Sequence, residues 1–349
     1  MTVLKLNANN FVPLQRTPWA GTKISEIKKK CLNGKFEIPN FIGESWEIST
    51  DDQFPSFVIF NEQDHTENNV TLKNYLKNQF QISNFSLCLK WLQAKDKLSV
   101  QVHPPHSYEK LTKQECGKPE AWFVCNNQNK GSVYLGFKNG VTKEDVIHAI
   151  SSSSTPSNNK NYLTDDFPRN LENLLFQYQP KEFDYISIPT GCVHAVGAGP
   201  LMIEPQEIVE NKSGKTFRLF DWNRLYDGTG NLSENGYPRE LHVEKSLEVI
   251  DWDLPREQEF IQKYIVPMGE KKIFLPTKQN PFGCEMITEN KNISTSNNYF
   301  YGVTVLQGQF QIGKKEFLCG ESGVILGNNK VTARPVVENS VALLFFVER

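Results

Sequence analysis

Two histidines, a glutamine and a glutamate carry the most specific chemistry in this sequence. In LSVQVHPPHSYEK, residues 98–110, an alternating strand-like run ends on Gln101-Val102-His103 and is stopped by a Pro-Pro pair. Residues i and i+2 of a strand project from one face, so Gln101 and His103 point into one space while Val100 and Val102 face the opposite layer. Proline cannot continue a central ladder, which ends the strand at Pro104 and places both side chains at its mouth. Glu120 opens another strand, EAWFV, directly after the turn-like CGKP. In SIPTGCVHAVG, 187–197, a Pro-Thr-Gly turn leads into a strand that carries His194 inward with Cys192 and Val196. An amide oxygen, two imidazoles and a carboxylate suit a borderline divalent ion such as zinc, with room left for water or substrate. Each histidine taken singly has an ordinary structural explanation, and two histidines with a carboxylate also describe an iron(II) oxygenase centre. The combination of four donors at strand ends is what points to metal. His65, His106, His148 and His242 read as surface or loop residues.

The elements that must position these groups are mostly short and β-like. FVIF (57–60), SLCLKWL (86–92), LSVQV (98–102), EAWFVC (120–125), DYISIP (184–189) and MIEP (202–205) are punctuated by Gly, Pro, Asn and Asp, the pattern of a mainly antiparallel β architecture. Helical periodicity spans about 141–179. It opens at a Thr142 cap, places Leu171, Leu174 and Leu175 on one face, and is interrupted by a solvated loop, SSSSTPSNNK. RELHVEKSLEVI, 239–250, predicts a third amphipathic helix. A boundary falls near 252–275. After the Asn/Ser-rich stretch 289–298 comes a further series of short strands without a histidine, which reads as a small β-barrel or sandwich with a structural role.

With 349 residues, 38% of them hydrophobic, the chain can bury one large core or two medium ones. A formal net charge of -2 and the lack of a long basic run exclude a nucleic-acid binder, but a small phosphorylated ligand needs only two or three local cations. No apolar run approaches the roughly 18–20 residues of a membrane span, and MTVLKLNANNFVPLQ does not read as a basic n-region followed by an apolar core. Seven scattered cysteines without a C-x-x-C pair read as reduced thiols, so the expectation is a soluble cytoplasmic protein.

Several stretches together resemble the type I mannose-6-phosphate isomerases, the phosphomannose isomerase family of cupin metalloenzymes. They are GESWEIS (43–49), LKWLQAKDKLSVQVHP (89–104), GKPEAWFV (117–124), IPTGCVHAVG (188–197), KTFRLFDWNR (215–224) and RELHVEKSLE (239–248), in the family's order. The resemblance implies two cupin-type jelly-roll domains, a catalytic one over 1–255 with a helical insertion around 141–179 and a C-terminal one over 256–349 without metal ligands. It also implies one zinc ion per chain and reversible interconversion of mannose 6-phosphate and fructose 6-phosphate. The family's metal ligands fall on Gln101, His103, Glu120 and His194, and its catalytic arginine on Arg218. The segment EPQEIVENKSGKTFR, which leads from Glu204 to that arginine, is longer than the family's usual stretch.

Aldose–ketose isomerisation moves a proton between neighbouring carbons through an enediol, and the barrier lies in developing negative oxygen. A divalent ion and Arg218 would stabilise that charge, although an ion pair of Arg218 with Asp221 or Glu204 is the alternative. Lys90 and Lys118 are the nearest cations for the phosphate, against a reading as surface lysines. Glu204, on the apolar MIEP strand, is a base whose pKa burial would raise; a lysine or a metal-bound water could do the same work. Trp46 walls the cavity or belongs to the core. A non-catalytic sugar-phosphate-binding cupin and, behind it, a cupin iron(II) oxygenase are the competing functions.

Overall fold

The computed structural model describes residues 3–348 apart from 33, 35, 61–69, 128–129, 152–166, 271–272, 279, 297 and 328–329. His65 and nearly all of the Ser/Asn-rich loop 151–160 lie outside the described residues. The protein is mainly β, and its sheets stack in layers. A six-stranded sheet runs, in spatial order, Ile265–Pro267, Asp184–Ile188, Glu120–Asn126, Leu201–Glu207, Leu87–Gln93 and Glu44–Ile48. Facing it is a five-stranded sheet in the order Phe217–Phe220, Val100–Val102, His194–Val196, Val133–Phe137 and Leu175–Tyr178. Pairing within both is antiparallel.

Alternation along each strand decides what lies between the layers. Leu92, Trp122, Val124, Ile186 and Met202 of the six-stranded sheet meet Val133, Leu135 and Val196 of the five-stranded one. The residues next to them in sequence, Trp91, Phe123 and Ile203, face the other way and pack on Phe282, Phe300, Leu343 and Phe345. Those four belong to a seven-stranded sheet built from Ile273–Phe274, Phe282–Ile287, Val341–Glu348, Tyr299–Gln307, Ser322–Ile325, Val3–Leu6 and Val58–Ile59. A four-stranded sheet closes its far side through Phe310, Ile312, Phe317 and Val331. On the outer face of the five-stranded sheet, Val100, Val102, Ala195 and Leu219 are covered by Val146, Leu171 and Val249 of the helices.

Three sequence expectations are corrected. The helical segment does not run to 179: its second helix, Phe167–Leu174, stops, and Leu175–Tyr178 pairs as an edge strand with Val133–Phe137. Leu171 and Leu175 are both buried, as the helical face required, but the ladder takes over once the chain reaches the sheet edge. The third helix begins at Val243 instead of Arg239. The C-terminal strands begin before the Asn/Ser-rich stretch, at Phe282–Ile287, and that stretch itself contributes the strand Lys291–Ser294. Val3–Leu6 hydrogen-bonds to Ser322–Ile325, so the N-terminal strand lies in the C-terminal sheet, while Ile265–Pro267 pairs with Asp184–Ile188. All seven cysteines are free thiols. No helix among the described residues is long and apolar enough to cross a membrane.

Candidate metal centre and surrounding pocket

The strand parity that buries the inter-sheet core also aims polar side chains into the same space. Val100 and Val102 face the outer helices, so Gln101 faces inward, and His194 shares the parity of inward Val196. Across the five-stranded sheet, Gln101 stands opposite His194 on one side and Arg218 on the other. From the six-stranded sheet, Glu120 shares the inward parity of Trp122. Glu204 and Gln206 share that of Met202, and Lys90 that of Leu92. Of the candidate site residues, Gln101, Glu120, His194, Arg218, Glu204, Lys90 and Trp46 thus sit on an inward face of one or the other sheet, while His103 directly follows its strand and Lys118 precedes its own.

Two glycine turns bring the donor segments together. Gly191 adopts φ +84°, and its N–H donates to the His103 carbonyl at 2.8 Å, tying the turn before His194 to the segment after Gln101. Gly117 packs so closely on the Pro104-Pro105 segment that a Cβ there would stand 2.5 Å from the His106 nitrogen. This contact sets Glu120 beside His103.

His103, Glu120 and His194 place one donor atom each within 4.8 Å of one another, and all three are buried. Glu120 Oε2 lies 3.1 Å from His103 Nε2, and Glu120 Oε1 lies 3.2 Å from His194 Nε2. The tautomers follow from the other ring nitrogens. His103 Nδ1 is 3.1 Å from the Lys215 carbonyl and His194 Nδ1 is 2.9 Å from the Cys192 carbonyl. A carbonyl only accepts, so each Nδ1 carries the proton and each Nε2 turns a lone pair toward the carboxylate. Lone pairs facing lone pairs repel, and Glu120 Oε1 and His194 Nε2 are buried without a hydrogen-bond partner. A cation among them resolves both problems, and two Nε2 atoms with a carboxylate are a donor set that zinc accepts. The residues present therefore fit a divalent metal. Gln101 joins them by register, on the same face as His194.

The electrostatics agree with that fit. Burial, with Lys118 beside it, pushes His103 down to about 3, so the imidazole stays neutral as a metal ligand must. Burial raises Glu120, but the Lys118 ammonium beside it leads the opposing pull, and the carboxylate lies well below its ordinary range. Lys118 Nζ stands 3.2 Å from Glu120 Oε2 and 3.4 Å from His103 Nε2. Lys90 is buried, not a surface lysine. Its Nζ lies 3.4 Å from Glu204, 3.8 Å from Glu44 and 4.1 Å above the Trp46 ring. Burial would lower it, but Glu204 and Glu44 raise it above its usual value. Glu204 is raised, chiefly by burial, against the pull of Lys90. Trp46 forms the wall beside Lys90, and its indole N–H donates to Glu44 at 3.1 Å.

Arg218 makes no ion pair with Asp221 or Glu204. Asp221 is taken by Arg224 at 2.5 Å and Arg239 at 2.7 Å, and among the described residues no carboxylate lies within salt-bridge distance of Arg218. Two partners went unread in the sequence. Gln206 donates to Glu120 Oε2 at 3.0 Å, a contact that strand alternation from Glu204 would have flagged. His242, read as neutral surface, accepts the Arg218 backbone N–H at 3.1 Å. His106 pairs with Glu207 at 2.8 Å away from the centre, and the lengthened segment returns to it through a two-residue bridge, Ser213–Gly214 to Glu115–Cys116.

Fold and site together define a class: a mainly antiparallel β protein with a candidate divalent-metal centre held between two sheets. Residues 15–129 match the model of the phosphomannose isomerase type I catalytic domain. The mannose-6-phosphate isomerase ManA of Bacillus subtilis is 30% identical over 241 residues, 67% of this chain and 64% of the relative. The mannose-6-phosphate isomerase of Streptococcus mutans is 30% identical over 168 residues, 48% and 44% respectively. The match thus spans less than two thirds of these relatives' lengths. The crystal structure of the Bacillus subtilis mannose 6-phosphate isomerase superposes with a TM-score of 0.70 at 20% identity, over 99% of both chains. A mannose 6-phosphate isomerase bound with zinc and yttrium gives 0.61 at 12% identity, over 100% of both. The chain is thus similar in sequence to the type I phosphomannose isomerases over about two thirds of its length, and it shares their fold over 99% of it.

Proposed function

We propose that the protein is a metal-dependent aldose–ketose isomerase that interconverts mannose 6-phosphate and fructose 6-phosphate. The observation that carries this reading is the convergence of His103, Glu120 and His194 in one buried cluster, with Glu204, Lys90 and Lys118 facing the same inter-sheet space. His103, Glu120, His194 and Gln101 would hold one zinc ion per chain. When bound, the ion supplies Lewis-acid stabilisation of charge developing on sugar oxygens.

The remaining chemistry belongs to the side chains. Glu204 takes the proton from the carbon beside the carbonyl and returns it to the neighbouring carbon. Its raised pKa suits a group that must both accept and release a proton near neutral pH. Arg218 places a guanidinium without a carboxylate partner against the enediol-type oxyanion, a fixed charge commonly worth several kcal/mol (about 3) in the transition state. Lys90 and Lys118 bind the phosphate or the hydroxyls, and Trp46 walls off water on the Lys90 side. In architecture, the proposal is two cupin-type units: residues 1–255 with the helices Lys143–Ser151 and Phe167–Leu174 as their insertion and Ile265–Pro267 added to their sheet, and the rest of 256–349 as a unit without ligands, its sheet completed by Val3–Leu6 and Val58–Ile59.

Incubation with mannose 6-phosphate in deuterated water tests the activity. Isomerisation gives fructose 6-phosphate, with solvent deuterium entering at the carbon that exchanges its proton. A protein that binds the sugar phosphate but yields neither ketose nor deuterated substrate is a binding module, and the proposal is then wrong.

A further inference from the structure

The segment Arg239–His242 closes around Arg218 in a way that the reaction above does not itself require. Phe217–Phe220 is an edge strand of the five-stranded sheet, and its register with Val100–Val102 shifts between Arg218 and Phe220. A bulged edge leaves main-chain groups unpaired and lets the side chain it carries wander. At Arg218 both outward groups are taken by one residue. The His242 backbone N–H donates to the Arg218 carbonyl at 2.7 Å, and the Arg218 N–H donates to His242 Nδ1 at 3.1 Å. Two residues earlier, the Glu240 carbonyl accepts from Arg218 Nη1 at 2.9 Å. Arg239 engages Asp221 through Nε at 2.7 Å and Nη2 at 2.8 Å, and Arg224 fills the rest of that carboxylate at 2.5 Å. The carboxylate that would otherwise capture Arg218 is therefore occupied by two other guanidiniums. Arg218 is held through its backbone and by a neutral carbonyl, with no carboxylate in salt-bridge contact among the described residues.

From this geometry we propose that His242 is a positioning residue: its imidazole, as an acceptor, fixes the bulged strand at Arg218 and so aims the guanidinium into the inter-sheet space. The proposal rests on the reading of Arg218 as a group that acts on the substrate. His242 touches neither the substrate nor the candidate metal ligands in this role.

The test is steady-state isomerisation of mannose 6-phosphate by zinc-loaded protein carrying His242→Ala, His242→Asn or His242→Gln, each also combined with Arg218→Ala. An asparagine oxygen can stand where Nδ1 stands, whereas glutamine presents its amide where Nε2 was. Losing one such hydrogen bond lowers kcat about 5- to 10-fold in His242→Ala and His242→Gln, with KM and zinc content unchanged, while His242→Asn recovers the rate. In the Arg218→Ala background, His242→Ala costs nothing more, because the residue it positions is gone. Wild-type kcat in His242→Ala, equal rates in the Asn and Gln variants, or independent multiplication of the two losses would overturn the proposal. If His242→Ala does not fold, the Asn and Gln pair decides alone. Full activity in Arg218→Ala by itself would instead overturn the reading of Arg218, a separate outcome.

Discussion

Glu120 receives contacts from both sheets and from the turn before it: two imidazoles, Lys118 and the amide of Gln206. A group that orients a metal ligand typically contributes 10- to 100-fold to affinity, so Gln206→Ala is expected to weaken zinc binding by about that factor in a competition titration with a chelator. Unchanged affinity would remove Gln206 from the centre. Lys90 sets the poise of the proposed base. Burial raises Glu204 and Lys90 lowers it, so Lys90→Met leaves burial unopposed on that side and raises the carboxyl further. A base works only when deprotonated, and the acid limb of the kcat profile should therefore move to higher pH. An acid limb that stays in place or moves down would contradict the assignment of Glu204. His103, Glu120 and His194 were legible in the sequence because each sits at a strand end marked by proline or glycine, where alternation fixes its direction. Gln206 and His242 were not, since one depends on the pairing of Gln206 with Glu120 across the sheet and the other on a strap that returns from 24 residues away.

The site is as precise as the turns that join its strands. Gly191 combines a left-handed backbone with crowding, since a Cβ there would approach the Asp251 Cβ to 2.8 Å. Gly191→Ala should cost about 1–3 kcal/mol of stability in chemical denaturation, and it should weaken zinc binding as well, because this turn joins His194 to the His103 segment. Loss of stability with full zinc affinity would mean that the turn holds the fold and not the centre. Periodicity identified the strands because half-buried strands alternate cleanly. It failed at Leu175–Tyr178, where LENLLFQY continues a helical apolar face and only the unpaired edge of Val133–Phe137 makes the chain switch to a ladder. It failed again at 239–242, where amphipathic spacing predicts helix but Arg239, Glu240 and His242 are committed to Asp221 and Arg218.

In the whole molecule, four β layers and a helical layer share their cores in pairs, and the candidate centre lies between the six- and five-stranded sheets. Short alternating segments between turn residues pointed to a mainly β protein with a histidine-free C-terminal series, and that was legible. That Val3–Leu6 would cross into the C-terminal sheet was not, because strand partners over 300 residues apart leave no local pattern. The layered packing ties the centre to both sheets at once, so cation binding should stabilise the fold as well as enable the chemistry. The decisive measurement is a coupled assay on mannose 6-phosphate before and after exhaustive chelation, with zinc content measured on the same samples. Loss of activity on stripping, and its return at one zinc ion per chain, is the predicted result; stripped protein that retains full activity would contradict a metal-dependent isomerase built on His103, Glu120 and His194.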